Sequence, residues 1–177
     1  MAMRIEQRSI DLPCRILVTG DTHLTGGRTE LPDALVSAAA RSDLTIHTGD
    51  LCTVAAHDLF EAHGPILAVR GNNEELKLDE RLPDAIELRF GDRRGIITHG
   101  HLEAGSSASN SVRRAYAARF DMVIYGHSHM PEWEEVDGTW FLNPGSPTQR
   151  RRAPSRSFAE LTIDSSGAVE VIWSLLD

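Results

Sequence analysis

Cysteine is scarce. Cys14 and Cys52 are the only two in 177 residues, which excludes a disulfide framework and fits a reducing compartment, with the cytoplasm as the expected address. The chain also lacks any apolar run of membrane-spanning length, and Met1 to Arg8 mixes charges without the apolar stretch of a signal peptide. Neither a membrane association nor export is therefore expected. Positive charge is in deficit too: 18 Lys and Arg stand against 26 Asp and Glu, for a formal net charge of -8. That argues against a broad nucleic-acid surface, which draws its affinity from clustered cations on phosphate, but leaves a small phosphate substrate open. No internal repeat is present. Residues 1–177 are long enough to bury a core without staples and are expected to form a single domain.

What the chain does have is a series of short apolar runs, each ending in a polar cluster. Cys14 to Thr19 reads as a buried strand that stops at Gly20-Asp21-Thr22-His23. Residues two apart in extended chain share a face, so Asp21 and His23 are expected to point together. Leu44 to Thr48 runs into Gly49-Asp50, and Pro65 to Arg70 runs into Gly71-Asn72-Asn73-Glu74. Leu31 to Ala40 and Thr53 to His63 have helical composition between them, with Pro32 early in the first helix, where its missing donor costs nothing. Alternating strand and helix predicts parallel units whose ligands gather at the carboxyl ends of the strands. Leu78 to Pro83 reads as linker.

Ala85 to Phe90 and Arg94 to Thr98 then suggest a hairpin delivering His99-Gly100-His101. Ser106 to Phe120 has helical spacing, and Met122 to Tyr125 ends in Gly126-His127-Ser128-His129. Beyond that, Asp137-Gly138 is a strong hairpin turn between 132–136 and 139–142, and 157–163 and 168–175 flank a second turn, so the last third reads as antiparallel. His47, His57 and His63 read as structural or surface histidines, and Cys52 as a small buried thiol. The basic segment Gln149 to Arg156 reads as a solvated loop, with a phosphate- or partner-binding loop as the other reading.

Taken in order, the clusters around Asp21, Asp50, Asn72, His99, His127 and Asn143-Pro144-Gly145-Ser146 resemble the calcineurin-like metallophosphoesterases, and within them the small bacterial and archaeal phosphodiesterase branch. The resemblance spans residues 16 to 146. It implies an α/β fold, a four-layer α-β-β-α sandwich of two mixed sheets. It also implies two divalent transition-metal ions, manganese first, with iron, nickel, cobalt or zinc as alternatives. Asp21, His23, Asp50 and His129 would hold one ion, and Asp50, Asn72, His99 and His127 the other, with Asp50 shared. Ligands of mixed carboxylate, amide and imidazole type with no thiolate suit such ions.

The implied activity is hydrolysis of a small or nucleotide-like phosphodiester by a hydroxide held between the ions, with Asp50, Asn72 and His101 as the catalytic residues. Many relatives carry Gly-Asn-His where this chain has Gly71-Asn72-Asn73. The usual leaving-group acid is thus missing, and His101 is the candidate to replace it. A phosphomonoesterase, or a non-catalytic scaffold such as the retromer subunit that shares this fold, are the alternative functions. Whether copies associate into a homo-oligomer is left open by the sequence.

Overall fold

A computed structural model of the protein describes residues 3–26, 30–103 and 107–177. Along them run β1 Ile5–Ile10, β2 Cys14–Thr19, α1 Asp33–Arg41, β3 Leu44–His47, α2 Val54–Glu61, β4 Ile66–Ala68, α3 Leu76–Arg81 and β5 Ala85–Phe90. There follow β6 Arg93–Thr98, α4 Ala108–Tyr116, β7 Met122–Tyr125, β8 Glu132–Val136, β9 Thr139–Asn143, β10 Arg156–Ile163 and β11 Val169–Leu176. The strands form two mixed sheets, one in the order β1-β5-β6-β7-β9-β8 and the other β11-β10-β2-β3-β4.

Period-two alternation explains why the sheets stack. Cys14, Ile16 and Val18 of β2, Ala159, Leu161 and Ile163 of β10, and Met122 and Ile124 of β7 share one cluster with Ile86, Leu88 and Phe90 of β5. This is the core between the sheets. Their strand neighbours face outward: Leu17 and Phe158 pack with Leu35 of α1, Phe60 of α2 and Leu78 of α3. Val123 and Tyr125 pack with Val112 and Tyr116 of α4 on the other side. The layers therefore run helix, sheet, sheet, helix, as the resemblance implied.

Two expectations are corrected, and one strand is added. Ile5–Ile10, unread in the sequence, is an edge strand paired in parallel with β5 on one side; most of it is exposed, so it carries no apolar alternation. The supposed linker contains most of α3, a short helix that buries Leu78 alone. The last third is not purely antiparallel, because β9 pairs in parallel with β7 although the β8–β9 and β10–β11 hairpins are as expected. α4 lies within the predicted helix, of which Ser106 falls outside the described residues.

Among the described residues no helix is long and apolar enough to cross a membrane. Cys14 and Cys52 are free and buried. His47 is a satisfied core histidine: its Nδ1 accepts from Gly49 N at 3.2 Å, so its Nε2–H is left for Thr22 Oγ1 at 3.1 Å, and burial pushes its pKa down to about 3.

Candidate metal centre

Each predicted site residue stands just beyond the carboxyl end of a strand, β2, β3, β4, β6 or β7. The β2 and β3 loops stay in register past the strands, through Thr48 N to Thr19 O, Asp21 N to Gly49 O and His23 N to Asp50 O, each 2.9 Å. Here the chain leaves extended geometry. Asp21 (φ 51°), His23 (44°), Asp50 (58°), His127 (68°) and His129 (58°) all have left-handed backbone, at a cost of roughly 1–2 kcal/mol for each L-residue. Asp21 and His23 do meet, as expected, but by tight turning and not by the pleat of a strand.

Five of the predicted residues converge in two groups, Asp21 with His23 and His129, and Asp21 with Asp50 and His99. Within each group the potential ligand atoms lie within 4.8 Å of one another. Asp50 stands between the histidines: its Oδ2 is 3.4 Å from His23 Nε2 and its Oδ1 3.6 Å from His99 Nε2. Asn72 Oδ1 and His127 Nδ1 each approach His99 Nε2 at 3.2 Å. His101 lies beside this group, its ring centroid 5.2 Å from that of His99 and 6.4 Å from that of His127. A third group, His57, Asp58 and Glu61, sits on the half-buried to exposed side of α2, where clustered acids are ordinary surface.

The hydrogen bonds fix which nitrogens face the centre. His129 Nδ1 donates to Gln149 O (2.5 Å) and His99 Nδ1 to Thr48 O (2.7 Å). Both acceptors are carbonyls, so Nδ1 carries the hydrogen and a neutral ring presents a bare Nε2 lone pair inward. His129 Nε2 then meets Asp21 Oδ1 at 3.2 Å. Acceptor faces acceptor, and Asp21 Oδ1 is buried with no hydrogen-bond partner among the described residues. Such a contact needs a positive charge between the two atoms, a proton or a metal ion.

Burial opposes ionisation of Asp21, but the imidazoles of His129, His99 and His23, in their protonated form, outweigh it and hold its pKa below the ordinary value. Burial also lowers the pKa of His23 and His127, keeping them in the neutral form that ligates metals. His101 is pushed down to about 4, by burial first and His99 second.

A close backbone approach shapes the floor. A Cβ on Gly71 would stand 2.1 Å from Asp50 Oδ1, so only glycine lets the carboxylate lie against the loop. Asp50 Oδ1 accepts from Asn72 N (2.8 Å) and Asn73 N (3.0 Å), and Oδ2 from the Asn73 amide (2.7 Å). Glu74 Oε1 accepts from both Asp50 N and Gly71 N at 2.8 Å, fastening the two loops together.

Against known families, residues 14–166 match the model of the calcineurin-like phosphoesterase superfamily domain. The chain belongs to that superfamily. It is similar to the probable metallophosphoesterase YsnB of Bacillus subtilis (strain 168), with 31% identity over 154 residues and 86% of each chain covered. It is 34% identical over 115 residues to the phosphodiesterase MJ0936 of Methanocaldococcus jannaschii, covering 58% of this chain and 66% of that one. Among solved structures, Vps29 of Chaetomium thermophilum superposes with a TM-score of 0.71 at 20% identity, over 92% of this chain and 95% of that one. At that identity the likeness is one of fold.

Several contacts in this calcineurin-like centre escape a reading of motifs. The Thr48 and Gln149 carbonyls that orient the rings have no sequence signature, and residue type alone does not disclose the grip of Asn73 and Glu74 on Asp50. Asn143-Pro144-Gly145-Ser146 is more than a turn, since Ser146 Oγ donates to Asp21 O (2.8 Å) and Asn143 Nδ2 to Gly126 O (3.0 Å). Cys52 lies beside His23, with Sγ 3.7 Å from Nδ1, outside both ligand groups. Arg151, in the segment expected as a solvated loop or else a phosphate- or partner-binding one, brings Nη2 to 3.4 Å from His23 Nε2.

Proposed function

We propose that the chain is a cytoplasmic, metal-dependent phosphodiesterase acting on small or nucleotide-like diesters. The observation that carries this reading is the buried acceptor pair of His129 Nε2 and Asp21 Oδ1 at 3.2 Å. In this reading Asp21, His23, Asp50 and His129 hold one divalent ion and Asp50, Asn72, His99 and His127 the second. Asp50 is shared because it faces His23 with one oxygen and His99 with the other. When bound, the ions, manganese first, supply Lewis-acid polarisation of the phosphoryl group and lower the pKa of a nucleophilic water.

The rest falls to the chain's own side chains. Two carboxylates against two divalent charges leave the centre at a net +2, and Asn72, neutral where a third carboxylate could stand, keeps it so. The Asn72 and Asn73 N–H groups and the Asn73 amide hold the Asp50 carboxylate in place. His101, beside His99 and His127, donates a proton to the departing oxygen once an anionic phosphate has raised its pKa. Its buried Nδ1 has no hydrogen-bond partner among the described residues.

The test is a panel of phosphate mono- and diesters assayed before and after chelation and again after Mn²⁺ is restored. Diester hydrolysis that is lost to the chelator and regained with metal is expected, and undiminished activity after exhaustive metal removal would refute it. Activity on monoesters alone would favour a phosphomonoesterase. No activity from a metal-loaded protein would favour the scaffold reading, to which the Vps29 likeness in fold lends support. A leaving-group series on native and His101→Ala protein checks the proton donor: the dependence on leaving-group pKa should steepen in the variant.

A further inference from the structure

The connection between β9 and β10 carries Arg150, Arg151 and Arg152, and it is fastened to the centre. Ser146 Oγ donates to Asp21 O at 2.8 Å, Thr148 Oγ1 to Thr22 O at 2.7 Å, and Gln149 O accepts from His129 Nδ1. Beyond the arginines, Ala153 N donates to Arg150 O at 2.8 Å, and Ala153 is buried. Arg150 braces the same turn by donating from Nη1 to Pro154 O at 3.1 Å.

Arg151 is the tip of that turn. Its φ of 49° is left-handed, a conformation that a residue with a long side chain seldom adopts unless its surroundings hold it there. The turn aims the guanidinium inward, with Nη2 3.4 Å from His23 Nε2. That nitrogen also stands 3.3 Å from His129 Nε2 and 3.4 Å from Asp50 Oδ2, so it faces the centre.

Arginine is charged at every working pH. A permanent cation is thus directed at a nitrogen that, in the metal-dependent reading above, is itself taken by a cation. Two positive charges at that spacing repel unless an anion lies between them, and among the described residues no carboxylate is paired with Arg151. We propose that the anion is the substrate's phosphoryl group. Arg151 is a substrate-binding residue whose planar fork takes phosphoryl oxygens over His23 and His129, and the site selects esters that keep anionic oxygens on phosphorus. This rests on the metal-dependent phosphoesterase reading for the cation at His23. A guanidinium suits the task because two parallel N–H donors match two oxygens of phosphate, which an ammonium cannot do.

The experiment is calorimetric titration of inorganic phosphate into Mn²⁺-loaded native protein, Arg151→Gln, Arg151→Lys and Arg152→Ser, with metal content measured in each. Losing charge-assisted hydrogen bonds should weaken phosphate binding by roughly 10- to 100-fold in Arg151→Gln. Arg151→Lys, which keeps the charge but not the fork, should recover only part of that. Arg152→Ser should stay close to native. In hydrolysis of a diester, Arg151→Gln should raise KM more than it lowers kcat. Equal phosphate affinity in native and Arg151→Gln protein at equal metal content overturns the proposal. So does a loss of phosphate binding that merely follows loss of metal, or a metal-loaded native protein that binds no phosphate. A native protein that binds phosphate through Arg151 yet hydrolyses no ester upholds Arg151 as a phosphoryl-binding residue and refutes the phosphodiesterase reading.

Discussion

Between the sheets, Ile16, Val18, Ile97 and Ile124 are almost wholly buried on regular strands. A few residues further along the same chain segments, Asp21, His23, His99, His127 and His129 crowd together, four of these five with left-handed backbone. The first region gains free energy from each side chain that leaves water. The second gives it up through backbone strain and desolvated carboxylates, a cost that a bound cation would offset in the metal-dependent reading proposed above. Stability and function are therefore separable along one strand: its body holds the fold, and its end holds chemistry that the fold must support.

The largest stability effect should come from the apolar region. Phe158, fully buried under α1, α2 and α3, should cost about 3–5 kcal/mol when replaced by Ala, read by chemical denaturation. A loss below 1 kcal/mol would break the contrast at its stronger end.

Next comes a polar contact that holds the sheets and not the chemistry. Asp84, 4% exposed, pairs with Arg70 and accepts from Arg4 N at 2.6 Å. Burial pushes its pKa up, but the Arg4 N–H and the Arg70 guanidinium outweigh that and leave it lowered. A carboxyl with a folded pKa below its unfolded value, about 3.9, adds stability that is present above the unfolded value and lost as pH falls through the folded one. Asp84→Asn should therefore lose about 1–3 kcal/mol at pH 7, with the deficit shrinking below about pH 4. A deficit that is constant from pH 7 to pH 3 would contradict this.

The smallest stability effect should come from the loop end. In metal-free protein, His127→Gly relieves a left-handed residue while losing contacts and adding unfolded-state entropy, so stability should change by less than about 1 kcal/mol. Activity should fall steeply all the same. A loss as large as that of Phe158→Ala would show that the loop end supports the fold after all.

The same contrast explains what the sequence disclosed. The near-continuous apolar runs of Cys14 to Thr19 and Met122 to Tyr125 follow from burial on both faces of the strand, so the stacked sheets were legible. The candidate ligand residues stood out because each follows closely on such a run. β1 was not, because an edge strand paired on one side needs few apolar residues, and α3 was not, because it buries Leu78 alone. The parallel pairing of β7 with β9 depends on long-range contacts that hairpin turns cannot report. Nor could residue types reveal that Glu74 joins two loops, or that the turn at Arg151 reverses toward His23, since both depend on backbone direction.

In the proposed function the crowded loop end is a two-cation site shared through Asp50. Titrating Mn²⁺ into metal-free native protein and into Asp50→Ala, with heat and elemental content read together, tests it most directly. Two ions per native chain are expected, with binding at both sites weakened in the variant. A native chain that takes up no divalent ion, or an Asp50→Ala chain that still holds two as tightly, would contradict it.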